Sequence, residues 1–338
     1  VLPLGSKIWI DNEGLNQWVV YNKIQNFNVN DISTGTKSSA LGWNINKNKG
    51  DNVLMISSPL YESVDFNDTG LITVKDLSEN KNVFSFTLNE QLRNLYHTGT
   101  STTELVSEFG QSMFYDSDEF NDSGYGLFFV GAPSANKVRP CDSNGILDTN
   151  LDHTDLLQKG LVKITALKQA IGKEDISKTI VFRSVSTSSY ERFGQSIYVQ
   201  TNNVPTVTTS SSVNSILTVT STSTKIMLVG APCTKDPTAP NLDNVETGTI
   251  YLYSLAITNT STSQLAVGGN LSTTTVSSLK LSLTNSIAAP RNKINGSEWG
   301  YSISGLSNGT RIAVSAPSWS TSTGYVAAVS YTHLRAHE

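Results

Sequence analysis

Apolar and polar positions along the chain follow one arrangement that occurs four times. In each copy an aromatic or large apolar residue precedes a glycine, a loop follows, and an apolar run then ends in two small residues and a proline. A further glycine opens the next apolar run each time. The four copies run from Leu41-Gly42 to Pro59, from Phe109-Gly110 to Pro133, from Phe193-Gly194 to Pro232, and from Trp299-Gly300 to Pro317.

The apolar runs of these repeats predict β-strands that are buried on both faces. Phe128-Phe129-Val130 is continuously apolar rather than alternating, as expected for a strand between two packed layers. Proline ends each run because it has no N–H to donate to a sheet. We predict up to four strands per repeat, at residues 41–45, 53–57, 70–74 and 82–88; 109–114, 127–131, 160–167 and 179–184; 193–199, 225–230 and 248–255; and 299–304, 311–315 and 324–329.

Two Ser/Thr-rich insertions lengthen the third repeat, at residues 201–224 and at about residues 258–285. Both contain β-branched residues in alternation, as in Ile216-Leu217-Thr218-Val219-Thr220. Because such residues favour strands, we predict extended hairpins, and a disordered insertion is the alternative. Before the first repeat, residues 5–10 and 17–22 predict two strands that match the second half of an incomplete repeat.

The spacing of the repeats predicts a β-propeller. The strand core stays short while the loops grow, so the interval between aromatic-glycine pairs increases along the chain. Solenoids keep a tight period, whereas propeller blades have four strands joined by variable loops. The predicted fold class is all-β, a β-propeller of four-stranded blades with four to five blades visible. The predicted blades span residues 1–40 (partial), 41–105, 106–190, 191–290 and 291–330 (partial).

The motif Phe109-Gly110-Gln111-Ser112, with its later Gly-Ala-Pro, resembles the FG-GAP repeat found in the integrin α-subunit head and in many secreted proteins. The resemblance covers about residues 5–330 and implies a propeller, seven-bladed in integrin-like members. We therefore expect the chain to be a fragment. Residues 331–338 resemble the translation of a sequencing-library adaptor, so we expect a non-native tail; a natural polar tail is the alternative.

The same resemblance implies that calcium is the cofactor to look for, although none is required. Members of the family often bind Ca²⁺ through alternating Asp and Asn residues in a loop between the first two strands, which suits a cation with six to eight oxygen ligands. This chain departs from that pattern, since Ser123 stands where an Asp is expected. The alternative is a solvated acidic loop. The candidate ligands are Asp116, Asp118 and Asp122 in the second repeat, and Asp148, Asn150 and Asp152 in a later loop.

Composition and charge narrow the class of partner. The formal net charge is -4 and only 15% of residues are charged, with no basic stretch, so we exclude nucleic acid. No run approaches the roughly 20 apolar residues that span a bilayer. Low charge with many small polar residues favours an extracellular or cell-surface location. Sequons for N-linked glycans begin at Asn67, Asn121, Asn259, Asn270, Asn295 and Asn308.

The two cysteines, Cys141 and Cys233, each follow a Gly-Ala-Pro triplet of neighbouring repeats. Equivalent loops of neighbouring repeats lie on one face, so a disulfide between them is a hypothesis, and two partly buried thiols are the alternative. Neither cysteine has a Cys-x-x-Cys partner, which argues against structural zinc.

No catalytic constellation is found in the sequence, so we expect no enzyme activity. His97 and His153 lie in polar loops without a nucleophile motif beside them. The first hypothesis is a noncatalytic adhesive or fibre-forming glycoprotein that self-associates or binds a protein partner through its propeller. An integrin-like ligand-binding receptor head is the second hypothesis, and a propeller appended to a secreted hydrolase is the third.

Overall fold

The computed structural model of the chain is all-β and consists of several antiparallel sheets. It describes residues 7–10, 17–20, 42–47, 53–61, 70–76, 81–86, 107–116, 124–135, 159–168, 173–185, 190–200, 207–213, 216–234, 247–265, 271–289, 297–305, 311–318 and 324–330. None of these residues lies in a helix, so the described part of the chain contains no helix that could cross a membrane. The predicted all-β class is confirmed.

The strands group by repeat into one hairpin and four sheets. The hairpin pairs β1 (Lys7–Ile10) with β2 (Gln17–Val20). Sheet I contains β3 (Ile45–Lys47), β4 (Val53–Ser58), β5 (Leu71–Asp76) and β6 (Lys81–Phe86), and sheet II contains β7 (Ser112–Asp116), β8 (Gly124–Ala132), β9 (Leu161–Lys168) and β10 (Lys173–Phe182). In both sheets, strands that are neighbours in sequence are neighbours in space.

Sheet III is larger because both Ser/Thr-rich insertions extend it. It contains β11 (Ser196–Val199), β12 (Val207–Val213), β13 (Ile216–Ala231), β14 (Thr249–Leu265) and β15 (Leu271–Ala288). Sheet IV contains β16 (Ser302–Gly305), β17 (Arg311–Ala316) and β18 (Tyr325–Ser330). Every predicted strand overlaps an observed strand, and the predicted extended hairpins are confirmed.

Two details differ from the sequence-based prediction. The glycines of the repeated motif lie outside the first strand of each repeat, because the chain turns at the glycine and the strand starts two residues later, or three in the first repeat. The hairpin of the second insertion is continuous with the core sheet: it is formed by the outer half of β14 and by β15, which pairs with β14 along its whole length. The first insertion likewise pairs β12 with the outer half of β13, beyond the part of β13 that pairs with β11.

Successive sheets pack against each other through apolar residues that alternate along the middle strands. On β8, Phe128 and Val130 join a cluster with Met55 of sheet I, whereas Leu127 and Phe129 join a cluster shared with sheet III. All four β8 residues have no solvent exposure. The continuous apolar run is thus buried on both faces, as predicted, and a third cluster joins sheets III and IV in the same way. Each such side chain contributes roughly 1.5–3 kcal/mol when fully buried.

Candidate functional site

A tight turn at the aromatic-glycine pair forms the geometric unit of the site, and its hydrogen bond is described in the second, third and fourth repeats. The N–H of the residue after the glycine donates to the carbonyl of the residue before the aromatic, and the glycine has positive φ. A type II turn requires positive φ at its third position, which explains why glycine stands there. These bonds are Gln111 N–H to Glu108 O (3.0 Å), Gln195 N–H to Arg192 O (3.1 Å) and Tyr301 N–H to Glu298 O (3.1 Å).

Each turn docks onto the preceding sheet through its aromatic residue. Phe193 forms a parallel bridge with Gly160, and its N–H donates to Lys159 O at 2.9 Å. Phe109 bridges Gly70 in the same way. A Cβ atom at Gly160 or Gly70 would overlap the backbone of the aromatic residue, so only glycine permits this approach. The glycine that opens each third strand therefore joins two consecutive repeats.

A second backbone contact links each Gly-Ala-Pro triplet to the next turn. The Ser112 hydroxyl donates to the Gly194 carbonyl at 2.7 Å, and the Ser196 hydroxyl donates to the Gly300 carbonyl at 2.7 Å. A Cβ atom at Gly131 would overlap that Gly194 carbonyl oxygen. The junctions between sheets II and III and between sheets III and IV thus have the same geometry.

The turns of all four repeats converge on one cavity of about 410 Å³. The residues after the glycines contribute to its wall, together with residues that precede the aromatics and prolines that end the apolar runs. The side chains from the turns are Trp43, Glu108, Gln111, Arg192, Gln195, Glu298 and Tyr301. Equivalent positions of four sheets therefore surround a shared polar and aromatic space, which we call the central cavity.

Three residues of the central cavity hold an unfavourable backbone conformation. Glu108, Arg192 and Glu298 have φ values of 50°, 54° and 56°, in the left-handed region that costs a residue other than glycine about 1–3 kcal/mol. Arg192 Nη2 lies 3.0 Å from Glu108 Oε2, and its Nε donates to Gln195 Oε1 at 3.1 Å. Glu298 accepts a hydrogen bond from the Ser318 hydroxyl at 2.7 Å. The cavity wall thus presents carboxylates, a guanidinium, amides and two exposed aromatic rings.

The second candidate site is the outer part of sheet III. We call residues 207–213, 216–224, 258–265 and 271–278 the outer ribbon; they form a four-stranded antiparallel sheet beyond the core. Residues 201–224 and 258–278 contain no charged side chain, and most side chains of the ribbon are serine or threonine. Threonines pair across strands, with 3.3 Å between the hydroxyl oxygens of Thr220 and Thr260 and 3.1 Å between those of Thr222 and Thr258.

Buried charges lie between sheets II and III. Lys225 Nζ is 2.6 Å from Asp116 Oδ2, and both side chains are almost fully buried. Glu191 is also buried and accepts a hydrogen bond from the Ser184 hydroxyl. Burial, together with the nearby Glu191 carboxylate, raises the pKa of Tyr251 to about 12. Burial also lowers the pKa of Lys159, although Glu191 opposes that effect.

The predicted calcium ligands are placed only in part. Asp116 lies on β7, where its carboxylate pairs with Lys225. Among the described residues, no group of three or more His, Cys, Asp and Glu side chains is arranged to hold a metal ion. The two calcium sites therefore remain predictions. The other candidate ligands lie outside the described residues: Asp118, Asp122, Asp148, Asn150 and Asp152.

The modification sites also lie mostly outside the described residues. Asn259 is on β14, half-buried, and its side-chain oxygen accepts a hydrogen bond from the Ser277 hydroxyl at 2.6 Å. Cys233 is half-buried and contributes to the wall of the central cavity. The predicted disulfide stays a prediction because its partner is not described. The sites outside the described residues are Asn67, Asn121, Asn270, Asn295, Asn308 and Cys141.

With this geometry in hand, comparison with known proteins gives a negative result: no protein-family model matches the chain, and no curated protein sequence matches it. The FG-GAP resemblance therefore rests on the motifs quoted above.

The polar side chains of the central cavity were not predicted from the sequence. Their signal was present, because the residue before the aromatic-glycine pair is charged in three repeats, as Glu108, Arg192 and Glu298. A charged residue at the same position of three repeats, next to a buried aromatic residue, indicates that these three side chains lie close to one another. The pairing of Lys225 with Asp116 had no such signal, because it depends on how two sheets are packed together.

Proposed function

We propose that the four sheets are blades of an FG-GAP-type β-propeller, and that the protein is a noncatalytic extracellular glycoprotein that self-associates through the outer ribbon. The propeller part is supported by the convergence of four equivalent turns on one cavity and by the face-to-face packing of consecutive sheets. Propeller blades are arranged in this way around a central channel.

The outer ribbon is the observation that carries the assembly proposal. Proteins normally protect sheet edges with charged residues, proline or bulges, because an open edge pairs with other chains. The edge strand β15 has 18 residues, roughly 60 Å of extended chain, and Lys280 is its one charged residue. The opposite edge strand of the ribbon, β12, has no charge and no proline. Such edges favour pairing with a second copy of the same sheet.

Exposed apolar side chains on sheet III add to this argument. Val213 is 66% exposed and Leu217 is 46% exposed, both at the β12–β13 hairpin. Leu283 on β15 is 39% exposed. Burying these side chains between two molecules would be favourable, at roughly 25 cal/mol for each Å² of apolar surface removed from water. Self-association along the ribbon and the adjoining part of β15 therefore explains both the uncharged edges and the exposed apolar residues of sheet III.

The register of sheet III permits a variant that lacks the ribbon and keeps the core. Val199 pairs with Met227, and the Gln200 N–H donates to Ile226 O, so the pairing of β11 with β13 reaches Gln200. Replacing residues 202–224 by Asn-Gly would join β11 and β13 by a two-residue hairpin. Ile257 pairs with Leu279, so replacing residues 258–278 by Asn-Gly would close the second hairpin. Both Ile257 and Leu279 remain in the core cluster.

Sedimentation velocity over a concentration series tests the proposal. We expect the full chain to form dimers or larger species, and we expect the ribbonless variant to sediment as a monomer. A second variant keeps the ribbon and adds charge to the edge strands β12 and β15 of sheet III, with lysine in place of Thr209, Ser278 and Ser282, which are all exposed. It should also be monomeric, whereas the control Val185→Lys should assemble. A full chain that stays monomeric, or variants that assemble like it, would refute the proposal.

A further inference from the structure

We propose that the central cavity binds a saccharide. Its volume of about 410 Å³ lies within the range of about 300–1,000 Å³ that is usual for small-molecule sites. Two aromatic rings in its wall, Trp43 and Tyr301, are 59% and 44% exposed and come from different sheets. Exposed rings that face a cavity offer flat apolar surfaces to the C–H faces of a sugar.

The polar groups of the cavity suit hydroxyl groups, which donate and accept hydrogen bonds. Arg192 supplies donors, Glu298 supplies acceptors, and the amides of Gln111 and Gln195 supply both. Arg192 is already paired with Glu108 at 3.0 Å, so these two charges largely compensate each other, and the Glu298 carboxylate accepts a hydrogen bond from the Ser318 hydroxyl as it would from a sugar hydroxyl. A neutral polyhydroxy ligand uses every type of side chain in the wall.

The backbone of the cavity supports the same inference independently. Glu108, Arg192 and Glu298 all adopt positive φ, which glycine would adopt without strain. Because glycine would remove this strain, the presence of a long polar side chain at the same position of three repeats indicates that the side chain itself has a role. Backbone strain of this kind is concentrated at binding and active sites. The Arg192–Glu108 ion pair accounts for two of the residues, whereas the partner of Glu298 within the described part of the chain is the exposed Ser318 hydroxyl.

Saturation-transfer NMR with free sugars tests this proposal directly. The probes are the methyl glycosides of glucose, galactose, mannose and N-acetylglucosamine, and choline serves as a cationic probe. We expect at least one glycoside to bind the full chain and choline not to bind. Absence of binding by all four glycosides, or binding of choline alone, would overturn the proposal.

Two cavity variants and one control locate the binding. Trp43→Ala removes an exposed ring and should weaken the affinity for the bound glycoside by at least about tenfold. Glu298→Gly should weaken it similarly while leaving the melting temperature unchanged or higher, because glycine relieves the positive φ. The control Val185→Ala, at a 70% exposed position outside the cavity wall, should bind normally. Unchanged affinity in both cavity variants would overturn the assignment.

This inference is separate from the assembly proposal. The ribbonless variant retains every side chain of the cavity wall, so it should bind the glycoside as the full chain does. Loss of self-association with retained sugar binding would support both proposals. If the ribbonless variant still self-associated while Trp43→Ala lost sugar binding, only the role of the ribbon would be overturned.

Discussion

Adding one methyl group at Gly131 tests the junction between sheets II and III. Gly131 has an ordinary backbone conformation, so alanine fits its φ and the effect comes from the added atom alone. That Cβ atom would overlap the Gly194 carbonyl oxygen and would lie 3.0 Å from the Gly194 carbonyl carbon. Carbon atoms in contact normally stay about 3.5–4.0 Å apart. Because the overlap with the oxygen is the more severe of the two, the backbones must separate by at least about 1 Å.

The cost follows from what that separation disrupts. Overpacking in a tight core typically destabilises by about 1–3 kcal/mol. The Ser112 hydroxyl bond to Gly194, 2.7 Å long and buried, would also be lost or strained, at about 0.5–1.5 kcal/mol. We expect Gly131→Ala to lower the free energy of unfolding by about 2–4 kcal/mol. Gly230→Ala should lower it by a similar amount, because its Cβ atom would meet the Gly300 carbonyl in the same geometry.

Urea unfolding followed by tryptophan fluorescence measures this effect. The control is Gly324→Ala, where the nearest atom to the new Cβ is the Pro317 carbonyl oxygen at 3.2 Å. That position is exposed, so we expect a change within about 0.5 kcal/mol. If Gly131→Ala and Gly230→Ala were as stable as the control, the close approach of successive repeats described here would be wrong.

Three further predictions concern buried charge, pH and calcium. Asp116→Asn should destabilise the protein by about 3–5 kcal/mol because it leaves Lys225 buried without its charged partner, and adding Lys225→Met should restore part of that loss in thermal unfolding. Tyr251→Phe should reduce the loss of unfolding free energy at alkaline pH. An unfolded tyrosine loses its proton near pH 10, whereas in the folded protein the pKa of Tyr251 is raised to about 12. Between those two pH values the unfolding free energy of the wild type therefore falls by up to about 1.4 kcal/mol per pH unit. Millimolar Ca²⁺ should raise the melting temperature if the predicted sites bind it, and Asp148→Asn together with Asp152→Asn should then abolish the rise.

Each of these three predictions has its own control or contradicting result. A double variant at the ion pair that is no more stable than Asp116→Asn would show that the two charges do not compensate each other. Parallel pH curves for wild type and Tyr251→Phe from pH 9 to 12 would contradict the raised pKa. For calcium, Mg²⁺ at equal concentration separates a specific site from general screening, because Mg²⁺ demands a smaller octahedral site.

The repeat architecture could be predicted from sequence because each element has a local cause. The turn glycines, such as Gly110 and Gly194, are required by positive φ, and the prolines end strands because they lack an N–H. The apolar run at residues 127–130 identified a strand buried on both faces, since no alternation was present. These features depend on a few neighbouring residues, so the sequence alone is enough to find them.

The remaining features depend on contacts between distant parts of the chain. Alternating Ser and Thr residues at 258–278 indicate strands, but do not say that β14 continues straight from the core into the ribbon. The pairing of Asp116 with Lys225 requires the packing of two sheets to be known. The positive φ of Glu108 could not be expected from propensity, because glutamate rarely adopts it. Tertiary context decides each of these features.

Electron cryo-microscopy of the full chain at a concentration where it self-associates tests the central claim most directly. We predict particles in which sheet III of one molecule meets sheet III of another along the outer ribbon, with the turns of each molecule arranged around a central cavity. Particles that associate through other surfaces while their ribbons project freely into solvent would contradict the assembly proposal. Sheets that do not surround a common axis would contradict the propeller.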